Sequence, residues 1–367
     1  MNIKKALTSI LFIAIMAMFI SSVFSFSYLP TLFVLGLASV LIPTQKGIAF
    51  MAVQVEIWQK DIIGNLFKDN QFAQYAKSGD DYVLNGAVVH IPSAGTPSRS
   101  RKNVTDFPIT AVKRADADVI YGLDTVYQEP KFVEKVEQYE LSYDKRQSIM
   151  GEQQSQLIQD AMDSLLYNWA WATPNAIGVT PCNTILTTGA PTEIDVIDGA
   201  TGSRKTFTKD VIGIAKKKMD KANISPNGRF VCLTANHHQQ FIDSLDTVSQ
   251  TNFYRVADMG KGIVGTYLGF TFLMRSDIQR WRKVAGVWTP VDTMDDAFAG
   301  SDQTGDSAAS LIWQQDCVER ARGAVNVFDS AGRPEYYGDV FSMNMRFGGR
   351  IRRKEGVYSV IEDIVVA

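Results

Sequence analysis

The sequence predicts an α+β fold that mixes helices and strands, and three observations carry that prediction. Residues 207–278 read as an amphipathic helix, a short turn, a buried strand, a second helix, a glycine-rich loop and another strand. Residues 142–172 place apolar side chains at helical spacing, among them Met150, Leu157, Ala161, Leu165 and Trp169. Phe341, Met343, Met345 and Phe347 alternate with the two-residue period of a half-buried strand. A chain of 367 residues, 46% hydrophobic and 21% charged, supports one large or two medium domains with a true core.

Two unlike pieces meet near Met51. Ala6 to Gln45 contains no charged residue; Lys4 and Lys5 precede it and Lys46 follows. The block 6–26 is long enough to span a bilayer, whereas 29–42, after the interruption near Pro30, is short. Lys4, Lys5, the apolar block and Val23-Phe24-Ser25 also fit a secretory signal with a cleavage site. The first fifty residues therefore read as a membrane anchor, a cleaved leader or an untranslated upstream extension. From Met51 the sequence acquires the character of a soluble protein, and a family resemblance that begins only after Met51, set out below, makes it the working start.

After Met51, residues 51–80 read as an N-terminal arm with one helix, striped by Ile57, Ile62, Leu66, Phe67 and Tyr75 and broken at Lys77-Ser78-Gly79-Asp80. Residues 81–136 read as an extended β-ribbon. Its outgoing strand holds Val83-Leu84 and Val88 to Ile91, its return runs from Ile109 to Val126, and a polar loop with Arg99, Arg101 and Lys102 lies between. A lone two-stranded ribbon is marginal in water and its edges invite pairing, so it makes sense lying across another subunit. Residues 137–205 hold the long helix, which Thr173-Pro174 ends, and a Gly-, Thr- and Asp-rich connection. Residues 206–330 form a second unit. Its first helix sets Val211, Ile212, Ala215 and Met219 against a solvated face of Lys216, Lys217, Lys218 and Lys221. Within it, residues 291–310, with Asp292, Asp295, Asp296, Asp302 and Asp306, read as an acidic surface loop. Residues 331–367 supply closing strands.

No catalytic constellation stands out. Gly260-Lys261-Gly262-Ile263-Val264-Gly265 matches GxGxxG, but a dinucleotide site needs a strand before and a helix after it, and here a β-like run follows. His237-His238 makes a poor metal pair, since adjacent helical residues diverge by about 100°; Asn236 reads as the N-cap, placing both in an exposed first turn. His90 reads as packed in an apolar strand. The acidic loop lacks EF-hand spacing, and paired carboxylates such as Asp80-Asp81 read as turn residues. Cys182, Cys232 and Cys317 are isolated and form no CxxC pair, so neither a zinc site nor a disulfide framework is indicated. Catalytic residues, cofactor sites and metal sites are thus not expected, and no small-molecule substrate is implied.

Charge adds local information only. The net charge of -2 creates no global attraction to nucleic acid. Three basic clusters remain: Arg99, Arg101 and Lys102; Lys216 to Lys221; and Arg346, Arg350, Arg352, Arg353 and Lys354. The first and third read foremost as inter-subunit ion-pair donors, small singly and additive over many copies. Non-specific contact with nucleic-acid phosphates comes second, because no base-reading element accompanies them.

The phrases TKDVIGIAKKKMDKANISPNGRFVCLTANHHQQFI (208–242), GKGIVGTYLGFTFLMRSDI (260–278), LSYDKRQSIMGEQ (141–153) and YYGDVFSMNMRFGGRIRRKEGVYSVIED (336–363) resemble, in wording and order, the tailed-phage major capsid proteins with the Hong Kong 97 type coat fold. The resemblance covers about residues 51–367. It implies an N-arm, an extended loop (E-loop) at 81–136, a P-domain with its spine helix, and an A-domain at 206–330. It also implies many copies forming an icosahedral shell around double-stranded DNA, assembled in the host cytoplasm and residing in the virion. Itself, a scaffold, a portal and a maturation protease are the implied partners. Thr234-Ala235-Asn236 stands where the family often has a proline-containing turn, and residues 1–50 have no counterpart. An encapsulin-like nanocompartment shell shares the fold and is one alternative. A membrane-anchored or secreted protein with a soluble ectodomain from about residue 51 is the other, and only it needs residues 1–50 retained.

Overall fold

A computed structural model describes residues 70–84, 88–93, 102–103, 113, 117–134, 145–172, 180–194 and 199–365. The hydrophobic leader, the arm helix expected before residue 70, and Arg99 and Arg101 lie outside the described residues. Among the described residues no helix is long and apolar enough to cross a membrane.

The chain enters through a 3-10 turn at Gln71–Tyr75 and short strands β1 (Lys77–Ser78) and β2 (Val83–Leu84). Strands β3 (Val88–Ser93), β4 (Ala117–Gly122), β5 (Asp124–Tyr127) and β6 (Lys131–Glu134) lead to helix α1 (Lys145–Asn168). Three short strands follow: β7 (Asn183–Leu186), β8 (Pro191–Glu193) and β9 (Ser203–Lys205). Helix α2 (Lys209–Lys221), strand β10 (Arg229–Thr234) and helices α3 (Ala235–Asp243) and α4 (Thr247–Tyr254) come next. Hairpins β11 (Ile263–Tyr267) with β12 (Phe270–Arg275) and β13 (Gln279–Val284) with β14 (Val287–Val291) precede β15 (Asp306–Gln314). The long strands β16 (Val318–Arg333) and β17 (Gly338–Ile351), then β18 (Val357–Ile361), close the fold.

These strands form two main sheets. The eight-stranded one runs β11-β12-β10-β15-β13-β14, with β18 on β15 and β7 on β18. All six residues of β10 are buried, which suits a central strand covered on both faces and explains the unbroken apolar run Phe230 to Leu233. Helix α2 buries Val211, Ile212, Ala215 and Met219, the stripe read from its spacing. Two-residue turns at Leu268-Gly269 and Ala285-Gly286 join the hairpins, and all four residues have positive φ, as tight turns matched to strand twist require.

The five-stranded sheet is built on the β16–β17 hairpin, with β1 on β16 and β5 and β6 on β17. One face of β17 carries Phe341, Met343, Met345 and Phe347, all buried, and α1 lies on that sheet with Leu157, Ile158, Ala161, Met162 and Leu165 also buried. A side chain at Gly349 would collide with Leu165, Trp169 and the Glu319 carbonyl, so glycine lets helix and hairpin approach. An aromatic column joins the sheets. The Trp169 and Trp313 rings lie 5.9 Å apart, Trp313 stacks on Phe230 at 5.8 Å, and Tyr75 stacks on Phe230 at 4.4 Å.

Pairing redraws two expected boundaries. Strands β5 and β6 join β17 rather than extending the ribbon, so the return of the ribbon ends at Gly122. The division at 330/331 falls inside the β16–β17 hairpin, which is one unit from Val318 to Ile351.

Candidate functional site

Among the described residues, the ribbon meets the body of the molecule around Glu319 and Ala321 of β16. β2, β3 and β4 form their own three-stranded sheet, and Val89, Tyr121 and Leu123 pack on Ala321 of β16. Glu319 and Arg350 stand directly opposite each other across the β16–β17 ladder, where opposite charges attract. Glu319 is 1% exposed and faces Arg350 Nε at 3.6 Å and Arg352 Nε at 3.3 Å. Tyr121 donates its hydroxyl to Glu319 Oε1 at 3.3 Å, and the Arg350 guanidinium lies 5.4 Å from the Tyr121 ring centre. Burial pushes the Glu319 carboxyl above its ordinary value, with both arginines opposing. Gly79 and Asp80 complete the root: Asp80 accepts from the Arg322 backbone N–H at 2.8 Å and pairs with Arg320 at 3.4 Å.

The basic cluster of 346–354 is therefore divided by the fold. Arg350 is buried and committed to Glu319, which corrects its reading as a surface donor: its place in the ladder turns it inward. Arg352 shares that carboxylate from the surface. Arg353 pairs with Glu355 at 3.6 Å and donates to the Ala222 carbonyl at 3.1 Å. Lys354 and Lys102 are exposed, and Arg346 is half-buried. Lys217, Lys218 and Lys221 point to solvent as their spacing predicts, while Lys218 also lies over the Tyr358 ring.

Two buried polar networks were not visible in the sequence. Thr234, rather than Asn236, caps α3: its side chain accepts from the His237 N–H at 3.2 Å. The shift of two residues buries His237 completely. Its Nδ1 lies 2.6 Å from Ser310 Oγ and its Nε2 2.9 Å from Glu362 Oε1, so a serine, a histidine and a carboxylate distant in sequence do come together. All three are buried, and Ser310 Oγ also accepts the Thr234 N–H. Sealed this way, they tie α3 to β15 and the end of β18 and offer no reactive hydroxyl to solvent.

The second network corrects the acidic loop. Asp306 is fully buried at the start of β15 and receives Arg280 Nε at 2.8 Å and Arg282 Nη2 at 2.9 Å. Arg204 donates to its backbone carbonyl at 2.8 Å. Asp292, Asp295, Asp296 and Asp302 remain in the connection before β15.

The remaining motifs are structural. The glycine-rich segment forms a 3-10 turn at Met259–Lys261 and enters β11, and it receives hydrogen bonds from Gln71 and Tyr75 at the carbonyls of Gly260 and Lys261. Cys182, Cys232 and Cys317 are free and buried; burial pushes the thiols of Cys182 and Cys317 up to about 11 and that of Cys232 up to about 12. Among the described residues no group of three or more His, Cys, Asp or Glu side chains is placed to hold a metal.

No family model matches the sequence, and no curated protein matches it. Solved structures do. The capsid of Ralstonia phage GP4 superposes with a TM-score of 0.53 at 9% identity, covering 80% of this chain and 88% of that one. The cyanophage Pam1 capsid gives 0.51 at 12% identity over 80% and 92%. The capsid of cyanophage P-SCSP1u gives 0.50 at 13% over 79% and 87%. This chain has the phage capsid fold.

Proposed function

We propose that this chain is a shell-forming capsid subunit, and that many copies close into an icosahedral shell around a double-stranded DNA genome. The observation that carries the reading is the extent of the likeness, about four fifths of this chain and nearly nine tenths of the GP4 capsid chain. The ribbon supports it physically, because a three-stranded sheet anchored to the body through one small apolar cluster and one buried carboxylate gains much of its stability by lying on another subunit. The work of such a protein is association rather than catalysis, and modest contacts repeated over many copies sum to a stable shell. Exposed Lys102, Arg352, Arg353 and Lys354, together with Arg99 and Arg101 as expected from the sequence, are cations that could meet neighbouring subunits or, secondarily, packaged DNA. A scaffold, a portal and a maturation protease are partners consistent with this role.

The test is assembly itself. The full chain and a chain started at Met51 are expressed side by side, sedimented and imaged by negative stain. Closed particles, or rings of five and six, are expected from at least one. Two well-folded species that remain monomeric at high concentration, with and without a candidate scaffold, would overturn the reading.

A further inference from the structure

The second face of the β16–β17 sheet carries several exposed aromatic side chains. Residues directly opposite in an antiparallel ladder share a face. Tyr127 stands opposite Asn344, Phe132 opposite Val340, and Phe328 opposite Ser342. Three strands thus deliver an aromatic side chain to the face bearing 340, 342 and 344, away from the buried face of Phe341 and Met343. Tyr127 is 74% exposed, Phe132 52% and Phe328 54%. Tyr336 stacks on Phe132 at 5.8 Å, extending the patch to the tip of the hairpin. Among the described residues no strand pairs with the outer edge of β16 beyond Arg320. An aromatic face beside an open strand edge is the composition of a protein-binding surface.

The rim identifies the occupant. Glu134 on β6 and Arg333, both opposite Gly338 and so on this face, and Glu335 at the turn are all exposed, and no ion pair among the described residues engages them. A nucleic acid or an anionic membrane would call for cations alone. A rim carrying both signs is complementary to another surface with the same mixture, which a second copy supplies. We propose that this aromatic face docks on a second copy of the chain, an inference that rests on the capsid reading and assigns it a contact surface.

The native cysteines make a direct test possible. All three are buried, so Tyr127→Cys introduces a reactive thiol against a quiet background, which the wild-type chain measures. Maleimide labelling of the full-length variant is compared between dissociated subunits and assembled particles. Labelling at least about tenfold slower in particles is expected, because water and reagent are excluded from the centre of an interface. In parallel, Phe132→Glu is expected to retain the wild-type melting curve and to lose most of its particle yield. Equal labelling in both states, or full assembly of Phe132→Glu, overturns the docking surface and leaves the capsid reading standing. A wild-type chain that never assembles overturns both.

Discussion

The two main sheets solve opposite problems. The eight-stranded sheet centres on β10, buried at all six positions. The five-stranded sheet centres on β17, where buried Phe341, Met343 and Met345 alternate with half-buried Ser342 and Asn344. One is a sealed core whose polar groups, His237, Ser310, Glu362 and Asp306, find partners inside it. The other is a platform with α1 on one side and exposed Tyr127, Phe132 and Phe328 on the other. Substitution in the first should therefore be read in folding, and substitution in the second in association.

That contrast orders the expected effects. Trp313→Ala removes the ring that bridges Phe230 and Trp169 and should cost about 3–5 kcal/mol in denaturant unfolding. Asp306→Asn leaves Arg280 and Arg282 without their carboxylate and should cost about 3 kcal/mol, since removing one partner strands a buried charge. If either variant unfolds like the wild type, the first sheet is not the sealed core described.

Glu319 lies where the platform meets the ribbon, and its prediction is one of sign. Its folded pKa is raised above the ordinary 4.5, so its favourable contribution is complete below that value and is lost as pH rises through the raised one. Glu319→Gln cannot ionise and should flatten stability against pH in that window. Hydrogen exchange in 117–122 should report the change more strongly than exchange in 229–234. A pH profile unaltered by the substitution would show that burial and the two arginines cancel, and a stability lost on acidification in the wild type but not in the variant would show that the arginines outweigh burial. The smallest effect belongs to the open face: Phe328→Ser should shift subunit stability by no more than about 0.5 kcal/mol. A larger loss would mean that this face belongs to the folding core.

Periodicity made much of this legible. The stripes of α1 and α2, the unbroken run of β10 and the alternation of β17 are local signals, and each emerged in its place. Order along the chain likewise carried the resemblance to the capsid fold, although identity to the matched structures is no more than 13% in the three compared. What stayed hidden depends on partners far away in sequence. Asp306 looked like its acidic neighbours because Arg280 and Arg282 lie more than twenty residues earlier. His237 looked exposed because Thr234 ends a strand and caps a helix at once, and a β-branched residue in an apolar run reads first as strand. Arg350 was counted with a surface cluster because only the ladder reveals Glu319 across from it. Ser342 and Asn344 hinted at an open face, but the aromatics on it come from three other segments that only strand register brings together.

The contact between Trp169 and Trp313 has a practical consequence. One indole closes the long helix and donates to the Glu319 carbonyl at 3.0 Å; the other belongs to the opposite sheet. Two chromophores this near couple optically, so the near-ultraviolet dichroism of the chain carries a signal that exists only while the two sheets stay joined. Any rearrangement that slides one sheet past the other would be visible in unlabelled protein, in real time.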